Sequence, residues 1–325
     1  MKRLRVDDIE SLFHPTHQII PDVPDGDRLE PVFGKAFLVE VTRGCGHSCK
    51  FCLVGHIRGG KRARSLERLQ DIITTGIAAT SVKKVALIGS SLGDMPHLEE
   101  LASWIVDNGL ELSVPSLRAD TVTEGLLRSI VKGGQRTLTI APETGSERLR
   151  RAIGKGLSDE DIIQAVEMAS ASGIKSVKLY FIIGLPGEDD EDLVAIGDLV
   201  HNLTSHSRLR LTVALNPFVP KAHTRFEREP QPPLGEIRRR TDIVRQTLRR
   251  TRGVNVEVLD PREARVQAAL SVGDSSISEV ILLASRYGGF GGWRRAEREC
   301  GVDFFALPSD TSRLSDGLPW DFIAY

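Results

Sequence analysis

Ala36-Phe-Leu-Val-Glu-Val-Thr42 runs directly into Arg43-Gly-Cys45-Gly-His-Ser-Cys49-Lys-Phe-Cys52, and this passage decides how the chain is read. The first half is a short apolar run rich in β-formers; the second is a loop crowded with thiols. Cys45, Cys49 and Cys52 follow a C-x3-C-x2-C spacing, close enough for one loop to wrap one cluster. Three thiolates ligate three irons of a cubane and leave the fourth open to a ligand. Gly44 and Gly46 are expected to let the backbone approach such a cluster and turn where a side chain would forbid it. Three rival readings stay open, one of them a spacing that arises by coincidence. A structural zinc site needs a fourth ligand, which His47 or His56 could supply, and a plain electron-transfer cluster usually takes a fourth cysteine nearby.

Working outward, short β-rich runs alternate with amphipathic helical patterns, the signature of βα units and a parallel sheet. Six strands are expected, at 36–42, 83–88, 110–114, 136–140, 174–183 and 209–215. Between them Leu98, Leu101, Ala102 and Ile105 stripe one helix, with Asp94 expected to cap the turn into it. Thr123 is expected to cap the next helix, and Ser158 with Asp161 makes a capping-box-like start for another. Leu193, Ile196, Val200 and Leu203 stripe a further helix. The fold class is therefore α/β: six such units curl into a partial barrel or lie as an open wound sheet, and periodicity alone does not choose. In both, ligands sit at the C-terminal ends of the strands. The expected organisation is an irregular lead-in over 1–35, the βα units over 36–230 and a smaller C-terminal α/β extension over 231–325.

Composition narrows the class. The 325 residues are 40% hydrophobic and 27% charged, with 43 Lys and Arg against 44 Asp and Glu. A net charge of −1 implies no general attraction to nucleic acid or anionic membrane. No apolar run reaches the length of a membrane span and the N-terminus lacks a signal-peptide core, so a cytoplasmic location is expected. Four cysteines, three of them within eight positions, suit metal chemistry in a reducing compartment and not a disulfide framework.

The cysteine loop, with Phe51 before its last thiol, resembles the radical S-adenosylmethionine (SAM) superfamily. The resemblance implies a partial (β/α)6 TIM-like barrel, a 4Fe-4S cluster, SAM bound at the open iron, and reductive cleavage of SAM to a 5'-deoxyadenosyl radical that takes a hydrogen atom from substrate. It also implies an electron donor such as a reductase, flavodoxin or ferredoxin. Carried onto this sequence, Gly89, Ser90 and Ser91 after the second strand become contacts for the SAM amino group. Ser116 and Arg118 follow the third strand at the catalytic face, where Arg118 could pair with a carboxylate. Glu143 would accept hydrogen bonds from ribose, Lys155 would meet the methionine carboxylate with Arg151 as runner-up, and Gly184 and Phe218 or Val219 would line the adenine pocket. His223 is a candidate proton donor, with a structural role as its alternative.

Branch assignment is thinner. The segment His14-Pro-Thr-His-Gln-Ile-Ile20 and the ending Leu318-Pro-Trp-Asp321 are similar to members in which a cobalamin-binding domain precedes the barrel. The lead-in is too short for such a domain, which weighs against cobalamin. A methylthiotransferase or auxiliary-cluster enzyme would need further cysteines, and only Cys300 is left over; it is expected to be a small buried hydrophobe. The rival class is a zinc-bearing nucleic-acid module using Arg58, Lys61, Arg62 and Arg64 beside the loop. The basic helix with Arg238-Arg-Arg240 and Arg249-Arg250 reads as a solvated face.

Overall fold

The computed structural model describes residues 6–24, 26–57, 59–310, 312 and 317–323. In chain order the elements are β1 (Ala36–Glu40), β2 (Thr42–Arg43), α1 (Leu53–Ile57), β3 (Arg62–Ala63), α2 (Leu66–Thr80), β4 (Lys84–Ile88), α3 (Leu98–Asp107), β5 (Glu111–Ser113) and α4 (Glu124–Lys132). There follow β6 (Thr137–Glu143), α5 (Glu147–Ala152), α6 (Asp159–Ala171), β7 (Ser176–Ile183), α7 (Asp190–His206) and β8 (Arg210–Pro217). The chain continues with α8 (Leu234–Leu248), β9 (Val254–Val258), α9 (Pro261–Val272), α10 (Ser278–Tyr287) and α11 (Gly289–Cys300).

Strands β1, β4 and β5 pair in parallel, and so do β6, β7, β8 and β9. One bridge, Leu117 to Ile140, carries the run across the seam between the two sheets. There the Gln135 side chain stands in for missing ladder bonds. Its Oε1 accepts from the Val114 N–H at 2.9 Å, and its amide donates to the carbonyls of Val114 at 3.3 Å and Thr137 at 2.8 Å. Spatial order follows chain order, so the sheet curls as the expected partial barrel. Alternation along β7 buries Val177, Leu179, Phe181 and Ile183 and turns Lys178, Tyr180 and Ile182 to the other face.

That inner face is polar. Register places Lys178 beside Thr212, and Tyr180 beside Ala214 and then Glu257. Lys178 crosses β8 to pair with Glu257 at 2.7 Å, and its ammonium lies 5.4 Å from the Tyr180 ring centre. TIM barrels usually fill this space with bulky aliphatic side chains; here it is kept for polar contacts.

Several expectations meet a difference. Thr123 accepts from the Leu126 N–H and the Ser158–Asp161 capping box forms, as the sequence implies. Asp94 does not cap α3: the residue before that helix is His97, with no side-chain cap bond, and Asp94 turns to His47 instead. The parallel sheet also runs past residue 230, because β9 pairs with β8, and Val244, Leu248, Val254 and Val256 share the barrel's apolar core. Helices α9 to α11 pack a second core around Val266, Ile277, Val280 and Phe304. The run Tyr287-Gly-Gly-Phe-Gly-Gly-Trp293 is divided between two helices, positive φ at Gly288 (70°) and Gly289 (59°) breaking the chain between α10 and α11.

The lead-in is irregular but tied down. The side chain of Gln18 pairs with the open edge of β1, accepting from the Leu38 N–H at 2.9 Å and donating to its carbonyl at 2.7 Å. His14 Nε2 accepts from the Glu40 N–H at 3.1 Å. An unpaired strand edge invites unwanted pairing, so His14 and Gln18 have a structural task here. Arg64 is fully buried and donates to the carbonyls of Ile9 (2.5 Å), Leu12 (3.1 Å) and Glu40 (3.2 Å). Arg62 donates to the Val6 carbonyl at 2.6 Å. This corrects the reading of the basic run as a phosphate patch: both arginines hold the lead-in, and Arg58 lies outside the described residues. On α8, Arg239 and Arg240 are likewise taken up by Asp190, Glu236 and Glu188. Among the described residues no helix is long and apolar enough to cross a membrane.

Candidate functional site

The cysteine loop leaves the barrel where β1 ends and is stitched to its neighbours by backbone bonds. The Lys50 N–H donates to the Ile153 carbonyl at 2.9 Å, and the Phe226 N–H donates to the Lys50 carbonyl at 3.2 Å. Helix α1 presses onto the loop because Gly55 has no side chain; a Cβ there would collide with the His47 carbonyl. Gly44 takes φ 83°, as its expected role requires, whereas Gly46 has neither a positive φ nor any atom within 4 Å of an added Cβ.

All three thiols are free and line one cavity of about 210 Å³ at the C-terminal ends of the strands. Phe51, Ser90, Ser91, Ser116, Arg118, Glu143 and Lys155 line it with them, as do His47, Val54, Leu117 and Ala141, which sequence reasoning did not assign to it. Ser90 and Val54 also border a second recess of about 540 Å³ with Gly89, Glu40, Thr42 and Arg43. So one place collects residues from the ends of β1, β4, β5 and β6. Three expected members stay outside this cavity, Gly89 bordering only the second recess. Gly184 lies against Pro232, whose Cγ would sit 2.9 Å from an added Cβ, and Phe218 is buried among Leu149, Ile153, Leu185 and Phe226 behind the loop. Neither Phe218 nor Val219 lines the cavity.

The polar groups are held firmly. Lys155 Nζ pairs with Glu143 Oε1 at 3.0 Å, with both side chains about nine-tenths buried. Burial pushes the Glu143 carboxyl above its ordinary pKa, and Lys155 pulls the other way. Glu143 takes φ 73° at a bulge that ends β6, a conformation costly for a residue with a Cβ and typical of functional positions. Arg118 grips Asp120 through two bonds of 3.0 and 2.8 Å and donates to the Lys155 carbonyl at 3.1 Å. It lines the cavity with its guanidinium already engaged in this ion pair, the alternative that the sequence equally allows for it. Arg151 is exposed and faces Glu147 at 3.6 Å, so the cations that line the cavity are Lys155 and Arg118. His223 has φ 62°, its N–H donates to Glu227 Oε2 at 2.7 Å, and its ring meets Trp320; it does not line the cavity.

The donor set fits an iron–sulfur cluster. Three soft thiols, one of them the buried Cys49, line one cavity together with Ser90, Ser91 and the Glu143–Lys155 pair. Burial raises the Cys49 thiol above its ordinary pKa, with Lys155 opposing. The zinc alternative finds no support. His47 Nε2 lies 2.8 Å from Asp94 Oδ2, and His56 Nδ1 lies 2.9 Å from the Cys52 carbonyl. Among the described residues, no three His, Cys, Asp or Glu side chains converge on a point fit for a single ion.

Comparison with known proteins agrees with this geometry. Residues 39–200 match the model of the radical SAM superfamily. An uncharacterized protein of Methanocaldococcus jannaschii is 36% identical over 86% of this chain and 59% of its own length. A tRNA-2-methylthio-N(6)-dimethylallyladenosine synthase of Herminiimonas arsenicoxydans is 23% identical over 71% of this chain and 55% of its own. The chain therefore spans between half and three-fifths of these relatives. Among solved structures, the radical SAM methyltransferase TsrM of Kitasatospora setae, with cobalamin and a [4Fe-4S] cluster bound, aligns at a TM-score of 0.50 and 16% identity. That alignment covers 81% of this chain and 60% of the other. SuiB of Streptococcus suis bound to SAM aligns at 0.51 and 14% identity, covering 68% and 50%. At such identities the likeness is one of fold. With the sequence match, the barrel and the three thiols lining one cavity, the chain belongs to the radical SAM superfamily.

Proposed function

We propose that this barrel cleaves SAM reductively and directs the resulting radical at a polar substrate. The observation that carries the reading is that the three thiols and the Glu143–Lys155 pair line one cavity at the C-terminal ends of the parallel strands. Cys45, Cys49 and Cys52 would hold a 4Fe-4S cluster, which on reduction supplies the electron that splits SAM into methionine and a 5'-deoxyadenosyl radical. The chain's own residues do the rest. Lys155 offers a cation for the methionine carboxylate, and Glu143 offers an acceptor for ribose hydroxyls.

The polar inner wall, with Lys178, Tyr180, Thr212 and Glu257, favours a substrate that makes hydrogen bonds. Methyl transfer or another functionalisation of a C–H bond fits better than methylthiolation by these residues alone. The remaining cysteine, Cys300, sits on α11 against the second apolar core and offers no second cluster. Cobalamin is not part of the proposed chemistry, since the likeness to the cobalamin-bound enzyme is one of fold. A one-electron donor of the flavodoxin or ferredoxin class, in a reducing cytoplasm, would complete the system.

Anaerobic reconstitution of the chain with iron and sulfide tests the proposal. The expected product is brown, absorbs near 400 nm, a rough position for such clusters, and releases 5'-deoxyadenosine on reduction with SAM. A colourless chain, or a brown one that leaves SAM intact under reduction, would refute it.

A further inference from the structure

We infer that the Ser91 hydroxyl donates a hydrogen bond to the Cys45 sulfur and so raises the reduction potential of the cluster held there; this rests on the cluster reading above. The first observation is backbone strain. Ser91 takes φ 51° and ψ 50° in the turn after β4, a left-handed conformation that glycine adopts freely and serine only at a cost. A side chain kept at such a position has work to do. The partner of its hydroxyl is the Cys45 Sγ, 3.2 Å away.

The backbone of the turn is pinned on both sides of the hydroxyl's attachment. The Ser91 carbonyl accepts from the Asp94 N–H at 3.1 Å and from Lys61 Nζ at 3.2 Å. Asp94 in turn holds His47, whose own N–H lies 3.4 Å from the same sulfur. Cys45 thus faces two donors. Cys49 is placed differently, with its Sγ 3.5 Å from the Gly154 carbonyl, an acceptor.

Ligation fixes the direction of the Ser91 bond. A metal-bound sulfur is a thiolate and has no proton to give, so the serine must donate. Each donor to a ligating sulfur draws charge from it and favours the more negative, reduced cluster over the oxidised one. Ser91 is therefore a residue that tunes electron uptake, in place of the contact with the SAM amino group that the family resemblance implies for it.

The test uses the full chain, reconstituted anaerobically, as wild type, Ser91→Gly and Ser91→Ala. Ser91→Gly removes the hydroxyl and also relieves the strained backbone, so it folds at least as well as the wild type. The cluster potential is read by redox titration followed by electron paramagnetic resonance, and SAM affinity by equilibrium binding. The expected result is a shift to more negative potential of similar size in both variants, with SAM affinity within about twofold of wild type. An unmoved potential in Ser91→Gly overturns the inference, and a roughly tenfold loss of SAM affinity with that potential unmoved assigns the hydroxyl to SAM instead. A wild-type chain that takes up no iron overturns the cluster reading as well, so the two failures are distinguishable.

Discussion

Replacing Glu188 by glutamine should remove a pH dependence of folding that the wild-type chain carries between about pH 4.5 and pH 7. Glu188 sits in the turn after β7, with a side chain only 1% exposed. Its Oε1 accepts from the Gly184 N–H at 2.8 Å and from Arg240 on α8 at 2.7 Å. Burial outweighs both bonds and pushes its pKa from 4.5 up to about 7. An acid with a raised folded-state pKa keeps its proton longer when folded, so its contribution favours the fold at low pH. That contribution is full below about pH 4.5 and is lost as pH climbs to about 7. At about 1.4 kcal/mol per unit, the loss comes to roughly 3 kcal/mol. Urea unfolding of wild type and Glu188→Gln at several pH values isolates the group, because the other titrations cancel in the difference. Stability of the wild type relative to the variant should fall by about that amount across the window and level off above it. Parallel pH curves for the two chains would refute the reasoning.

Other outcomes follow from particular contacts. Gly76→Ala in α2 should gain about 1 kcal/mol of helix propensity, yet the new Cβ would overlap the ring of fully buried Phe37. Overpacking of that kind costs about 1–3 kcal/mol or more, so thermal unfolding should show a net loss, and a raised midpoint would contradict it. Lys155→Met should weaken SAM binding by at least about tenfold, the weight of one charge-assisted bond; unchanged affinity in equilibrium binding would remove Lys155 from the site. Arg64→Leu should free the lead-in at a cost of about 2–3 kcal/mol, seen as protease cleavage within residues 6–18 while the barrel stays resistant. Uniform resistance would mean that Arg64 does not hold this segment.

Much of this architecture is legible in the sequence because single-residue signals coincide with real constraints. Each of the six expected strands appears, since its apolar run is also its buried face, and the Ser158–Asp161 box forms where its spacing says. The cavity was legible in part: cysteine spacing located the loop, and the residues just after β4, β5 and β6 supplied most of the wall. What stayed hidden depends on pairing across long separations. No local pattern tells that Arg64 and Arg62 serve the lead-in carbonyls or that Gln135 closes a seam. Nor does any say that Asp94 answers His47, 47 positions earlier. The run from Val254 reads as a strand, but its place beside β8 in the barrel sheet does not show, because proline-rich residues 230–233 look like a boundary, although the chain merely crosses from β8 to α8 there. Phe218 or Val219 is assigned to the adenine pocket by resemblance alone; an apolar residue after a strand serves a core equally well, and Phe218 packs against Leu149, Ile153, Leu185 and Phe226.

The central claim is that Cys45, Cys49 and Cys52 present a cluster with one iron open to SAM. Electron paramagnetic resonance of the reduced, reconstituted chain tests it directly, with spectra taken before and after SAM is added. A reduced-cluster signal whose shape changes on addition, and which is lost in Cys49→Ala, is the predicted result. A signal indifferent to SAM, or one that survives loss of the Cys49 thiol, would contradict it.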